Sequence, residues 1–177
     1  MTGVINSLKP YLIVFTASAC GLIIEIVAGR ILAPSIGVSL YTWTSIIGVV
    51  LAGISLGNFA GGLVADRYPR ATTLGIILLA SGIASIAILP LLDLTSQPFL
   101  TLPILPRIVL LTTVLFLLPS ILLGMVTPVV IKLNLTDLTQ TGNVVGRIYA
   151  VSTAGSILGT FLTGFVLIQT LGTRTII

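Results

Sequence analysis

The sequence predicts an all-α integral membrane protein, and three observations lead to this fold class. Of the 177 residues, 56% are hydrophobic and 7% are charged, and the mean hydropathy is +1.24. Soluble domains carry about a quarter charged residues, so a soluble chain of this composition could not cover its apolar surface. The apolar segments are continuous over about 20 residues, whereas the strands of a membrane barrel alternate over about ten. We therefore expect five transmembrane helices and the beginning of a sixth.

Charge and residue usage exclude several classes of function. The formal net charge is +4, and the eight basic residues are scattered among separate turns, which is too thin a distribution for a nucleic-acid surface. Cys20 is the one cysteine, so no intrachain disulfide can form, and the sequence lacks histidine, the commonest metal ligand. We expect a lipid bilayer and other transmembrane helices as partners, and we expect no nucleic acid, metal or cofactor.

The first helix is expected over residues 11–29 and carries an acidic residue, Glu25. A carboxylate inside an apolar span costs at least about 2–3 kcal/mol. Gly21, Glu25 and Gly29 follow at four-residue spacing, so the acid should lie on the small-residue face and point at a neighbouring helix. Two interpretations stay open: Glu25 is a neutral, hydrogen-bonded packing residue, or it contacts a substrate or coupling ion.

The second helix, expected over residues 40–65, has small residues at every fourth position: Gly53, Gly57, Gly61 and Ala65. Such a stripe lets another helix backbone approach closely in lipid. We expect that neighbour to be the helix with the acidic residue. Asn58 is the strongly polar side chain of this segment.

The remaining helices are expected at residues 71–89, 107–126 and 145–169, with the start of a sixth from residue 173. Pro90 and Pro128 follow the ends of two of them. Residues 129–143 are amphipathic and are expected to lie along the membrane surface. The helix at 145–169 contains Gly155 and Gly159 among other small residues, which predicts close neighbours for it as well. We expect residues 1–177 to form a single transmembrane domain.

Basic residues indicate the orientation of the chain in the membrane. A cytoplasmic N-terminus puts five of them inside, namely Lys9, Arg67, Arg70, Lys132 and Arg147, and three outside, namely Arg30, Arg107 and Arg174. Cytoplasmic loops carry the excess of lysine and arginine. We expect a cytoplasmic N-terminus in a prokaryotic plasma membrane.

The turn after the second helix resembles a loop of major facilitator superfamily transporters. Residues 62–70 read GLVADRYPR, similar to the G-x-x-x-D-R-x-G-R pattern between the second and third helices of that superfamily, with Pro69 in place of a glycine. The resemblance implies the N-terminal half of such a transporter. It also implies that the loop motif, made of Gly62, Asp66, Arg67 and Arg70, is a cytoplasmic gate in which the acid holds arginines and the end of a facing helix.

A second resemblance covers most of the chain. Residues 19–23 with Glu25 and Arg30, residues 55–58, residues 123–128 and residues 146–164 are similar to the membrane region of fused transporter/spermidine-synthase-like proteins. The resemblance implies a soluble synthase-like domain as a possible partner. The chain itself has no glycine-rich strand–turn–helix and no acidic cluster for a polyamine. We therefore expect it not to be an enzyme, unless an aminopropyltransferase-like domain follows residue 177.

Two functional hypotheses follow. In the first, the chain is a transporter-like module that moves or senses small cationic solutes, and Glu25, Arg30 and Asn58 line a polar path; this architecture needs two such halves. In the second, it is a structural or anchor subunit that packs in a larger complex, or tethers a separate enzyme domain, through its small-residue faces. The residues assigned to helix packing are Gly21, Gly53, Gly57, Gly61, Gly155 and Gly159.

Overall fold

The structure, a computed structural model, describes residues 2–96, 98–135 and 138–176, and these ranges contain helices and no strands. In chain order the α-helices are α1 (Thr2–Ile36), α2 (Leu40–Arg67), α3 (Ala71–Ile86), α4 (Ile88–Ser96), α5 (Ile104–Asn134), α6 (Thr141–Leu162), α7 (Ile168–Thr170) and α8 (Thr173–Ile176). Single 3₁₀ turns occupy Pro98–Thr101 and Leu138–Gln140, and a π-helical turn, Thr163–Leu167, joins α6 to α7. The prediction of an all-helical fold is confirmed.

Five segments of the described chain are long and apolar enough to cross a membrane: Leu8–Ile36, Leu40–Arg67, Ala71–Thr95, Ile104–Asn134 and Thr141–Thr170. At about 1.5 Å per residue, each exceeds the roughly 30 Å of a bilayer's hydrocarbon core. Gly37, with φ 75°, ends the first span. Ser39 then caps α2 by accepting a hydrogen bond from the Thr42 amide at 3.2 Å. The prediction of five long apolar helices is confirmed.

Two helices run further than the sequence predicts, and in both a proline lies inside the helix. α1 continues through Pro34, and α5 continues through Pro119 and Pro128. Membrane helices tolerate proline because neighbouring helices and local adjustments satisfy the freed backbone groups. The prediction that α5 stops near Pro128 and is followed by a surface-lying segment is wrong for residues 129–134; Thr136 and Asp137 lie outside the described residues. Val129 and Val130 are buried, so the apolar face of α5 extends to its end.

The helix of the third span is interrupted close to the residue where the sequence predicts its end. α3 stops at Ile86 and α4 begins at Ile88, with Pro90 in the first turn of α4. A proline fits there because the amide hydrogen that it lacks has no intrahelical acceptor in the first turn. The sixth helix stays a prediction, since the described chain from residue 173 contains α8, which has four residues.

The bundle is organised around α5, the most buried of the five spans, which packs against α1, α2 and α3. The glycine stripe of α2 lies on α5 and not on α1, contrary to expectation. A Cβ at Gly53 would lie 2.5 Å from the Ser120 Cβ, and one at Gly61 would lie 2.7 Å from the Met125 Cα. A stripe of small residues shows that a helix approaches, but it carries no information on which helix does so.

α6 packs along α1 through glycines in the same way. A Cβ at Gly155 would collide with the carbonyl oxygen of Phe15, and one at Gly159 would lie 2.5 Å from that of Ala19. Beside these contacts the hydroxyls of Ser18 and Ser152 are hydrogen-bonded at 2.7 Å. Two glycine-mediated pairs, α2 with α5 and α1 with α6, therefore frame the space between them.

Candidate functional site

A polar cavity of about 180 Å³ lies between α1, α2, α5 and α6. Seven polar residues line it, namely five serines or threonines, one asparagine and one tyrosine: Ser18, Asn58, Ser120, Thr127, Tyr149, Ser152 and Ser156. We call it the hydroxyl cavity. Among the described residues that line it, none is charged. The cavity thus offers neutral hydrogen-bonding oxygens in the middle of an apolar bundle.

Helix spacing explains why these side chains meet. Ser152 and Ser156 are four residues apart on α6 and therefore share one face, next to the glycines that bring α6 against α1. On the facing side of α1, the Ser18 hydroxyl is hydrogen-bonded to that of Ser152. On the other side, Ser120 is buried in the α2–α5 contact, where Gly53 allows the two backbones to approach. The close helix pairs thus fix the walls of the cavity.

The hydroxyl cavity reaches the surface of the bundle at α2 and α6. Asn58, beside Gly57 on α2, is exposed, and Tyr149 on α6 is 51% exposed. Both line the cavity and therefore form its rim. Polar side chains at membrane depth normally face protein or water, because contact with lipid tails is unfavourable.

Glu25 lies one turn beyond the hydroxyl cavity. Gly21 and Leu22 of α1 line the cavity, and Glu25 follows them by four and three residues, which places it on the same helix face about 5 Å further along the axis. Its side chain is half-buried. Within the described part of the chain, no hydrogen bond or ion pair involves its carboxylate. Among the described residues, the carboxyl group of Glu25 thus has no hydrogen-bond or ion-pair partner, and it lies beside a neutral cavity.

Arg30 lies elsewhere. It lines a separate cavity of about 200 Å³ at the end of α1, together with Ser35, Asp93 and Thr173. Next to it, Nη2 of Arg107 donates a hydrogen bond to the carbonyl oxygen of Ser35 at 2.5 Å. We call this the outer cavity. The three residues predicted to line one polar path are therefore not brought together, since Asn58 and Arg30 belong to different cavities.

The predicted loop motif forms a link within the bundle. The Nζ of Lys132, on α5, lies 2.7 Å from Oδ1 of Asp66 at the end of α2. The Arg67 guanidinium lies 5.8 Å from the centroid of the Tyr68 ring, and Arg70 directly precedes α3. The expected contact of Asp66 with arginines is replaced by this lysine among the described residues. A Cβ at Gly62 would meet nothing within 4 Å.

Several of these groups were missed by sequence reasoning. Ser18, Ser120, Thr127 and Tyr149 are ordinary hydroxyl residues of apolar helices, and only the helix pairing shows that they share a cavity. Lys132 carried a usable signal, because it is a lone cation that the charge count places on the same side as Asp66. Within the described ranges, no group of three or more His, Cys, Asp or Glu residues could hold a metal ion.

Comparison with known proteins shows that the chain is similar to part of two aminopropyltransferases. It is 29% identical over 164 residues to polyamine aminopropyltransferase 1 and, equally, to polyamine aminopropyltransferase 2, both of Ralstonia nicotianae. The alignments cover 91% of this chain but 30% of either relative. The chain thus spans less than a third of the length of the relatives that it matches. No protein-family profile matches the sequence, and no solved structure does.

These relatives correct one expectation. From its residues we expected the chain not to be an enzyme, unless an aminopropyltransferase-like domain follows residue 177. That expectation is wrong, because the proteins that it resembles over most of its length are named as aminopropyltransferases. The expectation came from a search for catalytic residues within these 177 residues alone. The relatives are about three times as long as the segment that aligns with this chain.

Proposed function

We propose that the chain is the membrane region of a polyamine aminopropyltransferase-like protein and that its hydroxyl cavity binds a small protonated amine, such as a polyamine. The relatives' names supply the class of solute. The observation that carries the proposal is the chemistry of the cavity, in which neutral oxygens from four helices lie one turn from the unpaired carboxylate of Glu25.

A protonated amine suits this lining. An ammonium group has hydrogen-bond donors and no acceptor, so its site must supply oxygens. Serine and threonine hydroxyls, the Asn58 amide oxygen and the Tyr149 phenol can all accept. No cationic side chain among the described lining residues would repel the ligand. Glu25 supplies the negative charge that compensates a cation moved out of water.

The opening between α2 and α6 favours a transporter-like module over a closed binding site. The rim residues Asn58 and Tyr149 require cover by protein or water at membrane depth, and a second helical bundle seated there would enclose a path across the membrane. In this proposal the end with Asp66 and Lys132 is cytoplasmic, as is the N-terminus, and the membrane is a prokaryotic plasma membrane. The Asp66–Lys132 ion pair then lies at the inner mouth of the path.

The structural-subunit hypothesis receives less support. It assigns the small-residue faces to partner helices in a larger complex. Gly53, Gly57 and Gly61 are instead covered by α5, and Gly155 and Gly159 by α1. These faces are thus occupied within the chain.

Binding of spermidine to the purified protein in lipid nanodiscs tests the proposal. We expect the double substitution Ser152→Ala/Ser156→Ala to weaken binding about tenfold or more, because hydrogen bonds to a charged group contribute about 1.5–3 kcal/mol each. Thr153→Ala is the matched control: Thr153 is the neighbouring residue on α6, is exposed, and donates its hydroxyl to the Tyr149 carbonyl oxygen at 2.9 Å. Absence of spermidine binding to the unsubstituted protein, or equal weakening by the control, would contradict the proposal.

A further inference from the structure

The outer cavity lies where the first and third apolar spans end. Arg30 and Ser35, on its α1 wall, belong to the last two turns of α1, and Asp93, on its α4 wall, belongs to the last turn of α4. Helices longer than the roughly 30 Å hydrocarbon core place their ends at the depth of the lipid head groups. The outer cavity shares no lining residue with the hydroxyl cavity, so its role is independent of the proposed function.

Two opposite charges line the outer cavity without forming an ion pair with each other. Arg30 and Asp93 both border this space of about 200 Å³, yet no ion pair joins them. The guanidinium of Arg30 has neither a hydrogen-bond nor an ion-pair partner in the part of the chain that the structure describes. Asp93 has another interaction, but a carboxylate offers about four lone-pair sites and can accept a further donor. The outer cavity can therefore bind an anionic and a cationic group side by side.

Two hydroxyls strengthen the side of the outer cavity that suits an anion. Ser35 and Thr173 line it, and neither hydroxyl makes a hydrogen bond to a described residue. Both can donate to an anionic oxygen. Arg107 adds a second positive charge beside the cavity, since its Nη2 donates to the Ser35 carbonyl oxygen. The anion site thus combines one free guanidinium, two free hydroxyls and a neighbouring cation.

Volume and charge together define the ligand. At about 200 Å³, the outer cavity is smaller than the roughly 300–1,000 Å³ of pockets for drug-sized molecules, so it suits a small group. The planar fork of an arginine matches the oxygens of a phosphate, and a carboxylate accepts hydrogen bonds from an ammonium group. A phosphate with an ammonium group close to it is the chemistry of phosphoethanolamine. At head-group depth, a phospholipid is the source of this group that the position favours.

We infer that the outer cavity binds the phosphoethanolamine head group of a membrane phospholipid. Arg30, Ser35 and Thr173 hold the phosphate, and Asp93 accepts hydrogen bonds from the ammonium group. Phosphatidylcholine carries the same phosphate, but its quaternary ammonium has no N–H to donate, and phosphatidylglycerol has no ammonium at all. The site therefore distinguishes lipids by their head groups when their acyl chains are identical.

Native mass spectrometry of the purified intact protein, titrated with these three lipids carrying identical acyl chains, tests the inference. We expect phosphatidylethanolamine to bind about tenfold or more tightly than either of the others, because they lack its charge-assisted hydrogen bonds. Asp93→Asn should make the affinities for phosphatidylethanolamine and phosphatidylcholine equal, whereas Arg30→Gln should weaken the binding of all three lipids. The comparison of lipids on the unsubstituted protein requires no variant to fold.

Arg147→Gln is the matched control for the loss of an arginine. Arg147 is exposed on α6 and lines neither the hydroxyl cavity nor the outer cavity, so the order of the lipids should not change. Three results would overturn the inference: equal binding of the three lipids by the unsubstituted protein, a preference that survives Asp93→Asn, or unweakened binding by Arg30→Gln. Displacement of the lipid by an equal concentration of water-soluble phosphoethanolamine would assign the site to a free solute instead of a lipid.

Discussion

Glu25 is the acidic side chain on which the proposed solute site depends. It is half-buried in the middle of α1 and has no ion-pair partner among the described residues. A carboxylate at this depth is unfavourable unless a cation or water compensates it. In the proposed function, an ammonium group bound in the cavity one turn away compensates this carboxylate.

We predict that Glu25→Gln abolishes uptake of radiolabelled spermidine by vesicles containing the intact protein. Glutamine keeps the size and hydrogen-bonding oxygen but removes the negative charge that attracts the cation. Spermidine binding in nanodiscs should also be lost with Glu25→Gln. Asp66→Asn, which removes a carboxylate outside the hydroxyl cavity, is the control for the general loss of an acid in that binding measurement and should leave binding unchanged. Unaltered uptake by the Glu25→Gln protein would eliminate the role assigned to this acid.

The Asp66–Lys132 pair should contribute little to stability. Its side chains are 72% and 43% exposed, respectively, and exposed ion pairs contribute about 0–1 kcal/mol. We predict that Lys132→Met lowers the free energy of unfolding by less than about 1 kcal/mol and that high salt removes even this difference. Unfolding in mixed micelles at two salt concentrations measures it. A much larger cost would show that the pair is a structural clamp.

At the scale of helices, the backbones of α2 and α5 approach so closely that the glycine stripe of α2 leaves no room for side chains. At Gly57 the carbonyl oxygen of Ile121 and the Cα of Gly124 fill the space that a side chain would need. We predict that Gly57→Leu destabilises the bundle by about 1–3 kcal/mol or more, as overpacking of a rigid contact does. Both atoms belong to backbone, so they cannot swing aside.

Gly62→Leu is the matched control for that substitution. It lies on the same helix, five residues away, and a Cβ there would meet nothing within 4 Å. Thermal unfolding of both variants in the same detergent should show a lowered Tm for Gly57→Leu and little change for Gly62→Leu. Equal Tm values for the two variants would contradict the glycine-mediated packing of α2 on α5.

At the scale of the whole molecule, the order of the five apolar spans predicts which ends of the helices share a side of the membrane. α2 is long and apolar enough to cross a membrane, so we expect Val38 before it and Arg67 at its end to lie on opposite sides. With Cys20→Ser as background, we predict that Arg67→Cys reacts with an impermeant maleimide from the cytoplasmic side and Val38→Cys from the other. Val38 is 70% exposed, so access does not limit the reaction. Labelling in sealed vesicles of known orientation measures this, and the reverse pattern would invert the proposed topology.

The sequence by itself determined the solvent, the fold class and the presence of close helix contacts. A composition with 7% charged residues cannot form a soluble surface, and hydropathy identifies long spans because an unpaired backbone is excluded from lipid. Charge also indicated which residues share a membrane face, Asp66 and Lys132 among them. Composition, hydropathy and charge are local or additive along the chain, so they can be derived from the sequence without knowing how the helices pack.

Tertiary structure alone decided which helices are neighbours, and with that the site. The stripe of Gly53, Gly57 and Gly61 lies on α5 and not on α1, since small residues specify close approach without specifying a partner. The same pairing gathers Ser18 and Ser152 into one cavity and leaves Arg30 in another. Prolines 34 and 128 stay inside helices because packing in lipid outweighs their local preference. A long-range arrangement of this kind depends on all five spans at once, so no single stretch of sequence contains it.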